Sequence, residues 1–332
     1  MNIGLVCWSF SQGMRVGAIR DGFDLVKAAA QLGADGIGID HAFLPHPDDH
    51  AQIRQLRAQA DDAGTRITAG VSGADDLVAA IRNGEGDALF ERAQTLGSDV
   101  LKTTFAPPGV RLEEGWDIQT SRERVQAAIQ ALVEIEPTAR RHNLPVAIEN
   151  HIDFTNEELL EIWASTDSPY VGLLFDTANQ FALLDNGAEL GQELLDRILS
   201  VHFKDGYSVP TEDGVDLIWC VPGTGIADAP AAAALLKQKP NLTINVETIV
   251  TQQWAVPYKT AEFWSSLSYG RDDRADIIAA MEAQASENRS RPPVGDEELL
   301  AFETEQLKLS MAAARKLFQA DGSIGSPATS ER

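Results

Sequence analysis

Titratable side chains follow four apolar segments between residues 145 and 247: PVAI, GLLF, LSV and TINV. The side chains that could bind a metal or carry a proton there are Glu149, His151, Asp176, His202, Lys204 and Glu247. A buried carboxylate is costly unless a positive charge meets it, and neighbouring carboxylates raise each other's pKa. Two glutamates, one aspartate and one histidine form an oxygen-rich set that suits Mn²⁺, Mg²⁺ or Co²⁺ rather than structural zinc.

Eight apolar segments, alternating with helical patterns, must position these side chains. The predicted strands are residues 3–10, 36–40, 66–72, 99–105, 145–151, 171–177, 199–205 and 242–248. Several are apolar nearly throughout, as is typical of strands buried on both faces. The rhythm predicts a (β/α)₈ TIM barrel, in which all strands end at one mouth. An open doubly wound sheet is the alternative, but no G-x-G-x-x-G follows the first strand.

Side-chain alternation along a strand sharpens this expectation. Glu149 and His151 share one parity, so we expect both to face the mouth while Asn150 faces away. Adjacent strands lie about 4.8 Å apart, so ligands on four consecutive strands can reach one point.

The helical patterns and loops complete the predicted organisation. A long helix over residues 119–143 contains Pro137, which we expect to kink or restart it. Thr155 and Glu158 predict a capping box. Residues 206–228 are predicted to form a long loop. We divide the chain into a barrel (1–250), a C-terminal loop and helical extension packed on it (251–320) and a flexible tail (321–332).

Composition narrows the possible partners. The 332-residue chain has a formal net charge of −23, which would repel nucleic-acid phosphates and anionic membranes. It has two cysteines, an N-terminus that reads as a strand rather than a signal peptide, and no apolar run of the roughly 20 residues that a membrane span needs. We expect a soluble cytoplasmic protein.

Four motifs, taken in this order, resemble the sugar phosphate isomerase/epimerase family with its xylose isomerase-like barrel: ENHIDFTNEEL, GLLFDTAN, VHFKDG and NVET. The resemblance covers roughly residues 1–290 and implies that Glu149, Asp176, His202 and Glu247 bind one divalent metal, with Mn²⁺ our first choice. It also implies that Glu149 and Glu247 exchange a substrate proton. The resemblance further implies a keto-sugar substrate, with proton removal next to its carbonyl as the shared step.

One branch of this group is a separate alternative. The chain also resembles the large subunits of C-glycoside deglycosidases, which cleave 3-keto-glycosides by elimination with Mn²⁺ and a histidine near a metal-binding glutamate. His151, two residues after Glu149, matches that arrangement. This alternative implies a hetero-oligomer with a small subunit, whereas the isomerase reading implies a homo-oligomer. A non-catalytic sugar-binding barrel is the third possibility.

Further residues are candidates for the same pocket. Glu149, Glu247 and His151 are the candidate base and acid, and Lys204 could hold a hydroxyl or enolate oxygen or form an ion pair. The candidate substrate-binding residues are His41, Asn179 and Trp254, of which Asn179 could instead support the metal ligands. Lys102, inside the fourth strand, could point into the barrel.

Overall fold

A closed barrel of eight parallel strands forms the centre of the computed structural model, which describes residues 1–107, 109–285, 287 and 289–319. The barrel strands are β1 (Asn2–Val6), β2 (Gly36–Ile39), β3 (Arg66–Gly70), β4 (Leu101–Thr104), β5 (Val146–Glu149), β6 (Val171–Asp176), β7 (Ile198–Phe203) and β10 (Thr243–Val246). Three further strands, β8 (Asp205–Pro210), β9 (Val215–Cys220) and β11 (Gln253–Val256), form a second sheet. Around the barrel the order is β1, β10, β7, β6, β5, β4, β3 and β2. Each of the eight predicted strands coincides with a barrel strand, so the predicted TIM barrel is confirmed.

Helices surround the barrel and connect its strands. They are α1 (Ser11–Arg15), α2 (Gly22–Gln31), α3 (His50–Asp62), α4 (Ala74–Arg82), α5 (Gly86–Thr95), α6 (Val110–Glu113), α7 (Ile118–His142), α8 (Asn156–Ala164), α9 (Gly187–Glu193), α10 (Ala229–Leu236), α11 (Ala261–Trp264), α12 (Ala275–Ala285) and α13 (Asp296–Gln319). The predicted capping box opens α8, where Thr155 Oγ1 accepts from the Glu158 N–H and Glu158 Oε2 accepts from the Thr155 N–H. None of the described helices combines the length and apolarity that a membrane crossing requires.

Pro137 does not restart the long helix, so that part of the prediction is wrong, and the predicted kink stays a prediction. Helix α7 runs without interruption from Ile118 to His142 with the proline inside it. A proline leaves the carbonyl four residues earlier without its helical partner. That residue is Val133, which is 59% exposed, so water can satisfy the carbonyl and the helix continues.

The predicted loop over residues 206–228 is wrong. Strands β8 and β9 pair in antiparallel fashion there, and β11 adds to β9, giving a three-stranded sheet beside the barrel. The turn between β8 and β9 closes through the Thr211 N–H, which donates to the Gly214 carbonyl at 3.0 Å. Polar turn residues between two alternating segments were the available signal for a hairpin.

The C-terminal helix α13 packs on the outside of the barrel. Phe318 stacks edge-on against Phe203 of β7 with ring centroids 5.1 Å apart, and Met311 is buried in the main core. Glu303 accepts hydrogen bonds from the backbone N–H groups of Gln12 and Gly13. The predicted boundary at residues 250 and 251 stays a prediction, and the predicted tail, 321–332, lies outside the described residues.

Candidate metal centre

The four predicted metal ligands lie at the carboxyl ends of four adjacent barrel strands. Glu149 ends β5, Asp176 ends β6, His202 is the penultimate residue of β7, and Glu247 follows β10. Parallel pairing aligns Asp176 with His202. The strand β5 ends before His151, which therefore lies in the following turn and not in the predicted strand.

These four side chains converge on one point. Each offers a ligand atom, and the four atoms all lie within 4.8 Å of one another. All four residues are buried, at 6% exposure or less. His202 Nδ1 lies 3.1 Å from Glu149 Oε1 and 3.8 Å from Glu247 Oε1. Among the described residues, His202 Nε2 has no hydrogen-bond partner.

Lys204 is the cation that the structure places beside this group. Its Nζ lies 3.1 Å from Asp176 Oδ2, forms an ion pair with Glu247 Oε2 and donates to Asn179 Oδ1 at 3.1 Å. The ammonium also stands 4.5 Å from the centroid of the Trp219 ring on β9, a cation–π distance. The hairpin that the sequence analysis missed therefore supplies one wall around Lys204.

Two asparagines hold the strand ends in position. Asn179 Nδ2 donates to Glu149 Oε1 at 3.3 Å and to the Asn150 carbonyl at 3.0 Å. Asn150 faces away from the mouth, as predicted. Its side chain binds the backbone of Asp176 on both sides: it accepts from the Asp176 N–H at 2.8 Å and donates to the Asp176 carbonyl at 3.0 Å. The role of Asn150 was missed, because parity shows only that its side chain leaves the mouth.

The electrostatics of the group follow from burial and close charges. Burial raises the pKa of Glu149 and of Glu247, but His202 and Lys204 outweigh it and hold both pKa values below their usual range. Burial raises the pKa of Asp176 to about 6, although Lys204 opposes this. Burial lowers the pKa of Lys204, but Asp176 and Glu247 more than offset it and the net shift is upward. The two glutamates are thus ionised at neutral pH.

A cavity of about 730 Å³ is lined by three of the four side chains, those of Glu149, His202 and Glu247. The predicted residues His41, His151, Asn179, Lys204 and Trp254 all line it. His41 stands at the mouth, with its side chain 46% exposed and Nδ1 2.7 Å from Asp40 Oδ1. Trp254 is half-buried on β11. In contrast, Asp205 takes no part: its carboxylate accepts backbone N–H groups from Gly223, Gly225 and Ala227.

The donor set fits a divalent cation. Oxygen from three carboxylates and nitrogen from one imidazole suit Mn²⁺, Mg²⁺, Co²⁺ or catalytic zinc. Three carboxylates carry three negative charges and Lys204 carries one positive charge, so the carboxylates exceed the ammonium by two negative charges. A dication would balance that excess, and the unpartnered His202 Nε2 marks an imidazole not yet satisfied by protein atoms.

The fold is thus a TIM barrel, and the buried carboxylates and imidazole at the carboxyl ends of its strands form a candidate metal centre. Residues 26–266 match the xylose isomerase-like TIM barrel family, and the chain belongs to it. The family resemblance drawn from the four motifs is thereby confirmed.

The individual proteins to which the chain is similar share low sequence identity with it. The chain is 23% identical over 185 residues to the 3-oxo-isoapionate decarboxylase of Pectobacterium atrosepticum; the match covers 54% of this chain and 60% of that protein. The fold is similar to that of the IOLI protein with a bound zinc atom (TM-score 0.57, 16% identity, 87% of this chain and all of that one). It is also similar to 3-keto-D-glucoside 4-epimerase from E. coli (TM-score 0.55, 16% identity, 85% and 99%).

Proposed function

We propose that this protein is a divalent-metal-dependent enzyme that removes a proton next to the carbonyl of a keto-sugar. The observation that carries the proposal is the buried group of four ligand atoms within 4.8 Å of one another, open to a large cavity. A divalent cation bound there would supply Lewis-acid polarisation of the carbonyl and so acidify the adjacent C–H bond. Mn²⁺ is the proposed metal, with Mg²⁺ or Co²⁺ as alternatives.

Glu149 and Glu247 are the proposed proton carriers. They lie at the two ends of the arc β5, β6, β7 and β10, so they approach the centre of the cavity from different sides. One can take a proton from one face of the substrate while the other returns a proton to the opposite face, which is epimerisation. Return to the adjacent carbon is isomerisation. A positioned base of this kind contributes roughly 10²- to 10⁴-fold.

Lys204 is the proposed holder of a substrate oxygen. Its ammonium is already bound by Asp176, Glu247 and Asn179, and it lines the cavity. With a divalent cation held by Asp176 and Glu247, the N–H donors of Lys204 would be available to a hydroxyl or enolate oxygen. Asn179 then keeps Glu149 oriented through its 3.3 Å hydrogen bond.

Elimination from a 3-keto-glycoside, as in a C-glycoside deglycosidase, is the second candidate. His151 favours it: the residue lines the cavity, and its Nδ1 lies 3.3 Å from the Ala106 carbonyl. With the proton on Nδ1 in that contact, Nε2 is the basic nitrogen and can serve as base or acid. A small partner subunit belongs to this candidate, and size-exclusion chromatography with co-expressed candidates would detect it.

The relatives support a carbonyl-containing carbohydrate as substrate. The names 3-oxo-isoapionate decarboxylase and 3-keto-D-glucoside 4-epimerase each contain a ketone, although the reactions differ. Carbanion formation next to a ketone is common to epimerisation, elimination and decarboxylation of such compounds. The proposal therefore specifies proton removal next to the ketone and does not specify the product.

Proton exchange in D₂O tests this first step directly. The protein, supplied in turn with Mn²⁺, Mg²⁺, Co²⁺ and Zn²⁺, is incubated with a panel of keto-sugars that includes 3-keto-glycosides, and deuterium uptake is followed by NMR. We expect metal-dependent uptake next to the carbonyl of at least one compound. Absence of uptake across the panel, or uptake unaffected by chelation, contradicts the proposal; binding without uptake favours a sugar-binding barrel.

A further inference from the structure

A second buried lysine, Lys102 in the middle of β4, lines the same cavity but lies apart from the metal centre. The residue is 7% exposed. Its side chain runs across β3 and then β2, where Gly70 and Gly38 leave room for it. A Cβ atom added at Gly70 would stand 3.3 Å from Lys102 Cε, and one added at Gly38 would stand 3.5 Å from Nζ. The ammonium is thus directed toward β2, away from Glu149.

The two buried lysines differ in their partners. Lys204 contacts Asp176, Glu247 and Asn179, whereas no described residue accepts a hydrogen bond from the Lys102 ammonium or pairs with it within 4.0 Å. Asp40, which also lines the cavity, is paired with His41. Burial raises the pKa of the nearby Cys7 thiol to about 11, and the Lys102 charge opposes that rise. The Lys102 ammonium thus lines the cavity without an anion from the described residues beside it, and a ligand that brings an anion would pair with it.

We propose that Lys102 binds a carboxylate of the substrate, so that the keto-sugar of the proposed function is a keto-sugar acid. The placement of the ketone rests on that proposed function. The cavity then receives the ketone on the side of β5, β6, β7 and β10, and the carboxylate on the side of β2 and β3.

The charge of the cavity favours a carboxylate over a phosphate. Lys102 offers one positive charge, while Asp40 and Asp76 also line this side and Glu149 and Glu247 line the other. A singly charged carboxylate matches one ammonium, and a dianionic phosphate would face uncompensated repulsion from these acids. A neutral sugar would leave Lys102 unpaired.

Calorimetric titration of the Mn²⁺-loaded protein with matched compounds tests the assignment. D-fructuronate, D-tagaturonate and 2-keto-D-gluconate carry the acid, D-fructose and D-tagatose are neutral counterparts, and D-fructose 6-phosphate presents a phosphate. We expect at least one acid to bind about tenfold or more tightly than its neutral counterpart. Lys102→Met should weaken the binding of that acid by about 10- to 100-fold and change the affinity for the neutral sugars by less than about threefold. Lys308→Met, an exposed change of equal charge, is the control.

The outcomes separate this inference from the proposed function. Equal binding of acids and neutral sugars by the unmodified protein overturns the inference without any variant, and so does an acid preference that persists in a folded Lys102→Met protein. Tighter binding of the phosphate than of every acid overturns the choice of carboxylate. Deuterium uptake by neutral sugars alone overturns the inference and leaves the proposed function standing. A Lys102-dependent preference for acids, without uptake by any compound, overturns the proposed function and leaves the carboxylate site standing.

Discussion

The two halves of the barrel mouth differ in the charge they concentrate. Strands β5, β6, β7 and β10 bring three carboxylates, one imidazole and the Lys204 ammonium to one point. Strands β1 to β4 end in Val6, Ile39, Gly70 and Thr104, and Asp40, which follows β2, is not part of that group. On this side Lys102 lies against Gly38 and Gly70 and lines the cavity. The proposed chemistry therefore falls on one side of the mouth and the proposed recognition of the substrate on the other.

Metal removal is the strongest test of the charged half. Chelation should lower deuterium exchange by at least about 10⁴-fold, because Lewis-acid stabilisation of several kcal/mol is lost. It should also lower the thermal midpoint, since a metal at 100 times its dissociation constant stabilises the folded state by about 2.7 kcal/mol. Exchange assays and calorimetry before and after EDTA, with Mn²⁺ added back as the control, measure both. Full exchange in metal-free protein would show that Lys204 alone suffices as the cation.

Glu149→Gln comes next in size. The amide keeps one oxygen but loses the charge and the basicity, so exchange should fall by about 10³-fold. Metal content, measured by elemental analysis, shows whether the loss comes from the ligand or the base. Glu305→Gln, an exposed change on α13, should leave both unchanged. A Glu149→Gln protein with full metal content and full exchange would remove the charged half from the chemistry.

The charged half was also the half that the sequence could predict. Titratable residues directly after apolar segments are visible in one dimension, and barrel closure necessarily brings consecutive strand ends together. Glu149, Asp176, His202 and Glu247 were therefore predicted as a group, and the structure brings them together. Their roles stay predictions.

Other features depend on contacts that periodicity does not encode. The Trp219 ring reaches Lys204 only because β8 and β9 form a hairpin, which was predicted as a loop. Pro137 stays within α7 because Val133, whose carbonyl loses its helical partner, lies on an exposed face of the helix. That exposure is set by tertiary packing. The path of Lys102 over Gly70 requires the register between β3 and β4.

Lys204→Met sharpens the distinction between the two buried lysines. Removing the ammonium takes one positive charge from beside Asp176 and Glu247, so metal affinity should not fall. Exchange should nevertheless drop by about 10- to 100-fold if Lys204 holds a substrate oxygen through a charged hydrogen bond. Metal titration and exchange kinetics on the same preparation give the two numbers. A parallel loss of metal and exchange would instead indicate that Lys204 only supports the fold of the site.

Asn150→Ala tests the support beneath the metal centre. The change leaves the buried Asp176 N–H without the side-chain acceptor at 2.8 Å, at a cost of about 1–3 kcal/mol in unfolding free energy. Misplacing Asp176 should weaken metal binding by about tenfold. Chemical denaturation and metal titration measure these effects, and Asn83→Ala, exposed at the end of α4, is the control. Unchanged metal affinity would mean that the β6 strand alone fixes Asp176.

The smallest effect is expected in the open half, at His41. Its ring is half-exposed with Nδ1 2.7 Å from Asp40 Oδ1, and exposed polar contacts of this kind contribute about 0–1 kcal/mol. His41→Ala should therefore change the KM for the best substrate by less than about fivefold and leave the turnover rate unaltered. His46→Ala, with a side chain that is more exposed at 76%, is the control. If turnover instead fell by about 30-fold or more, a proton carrier would lie among β1 to β4, and the separation of chemistry from recognition would fail.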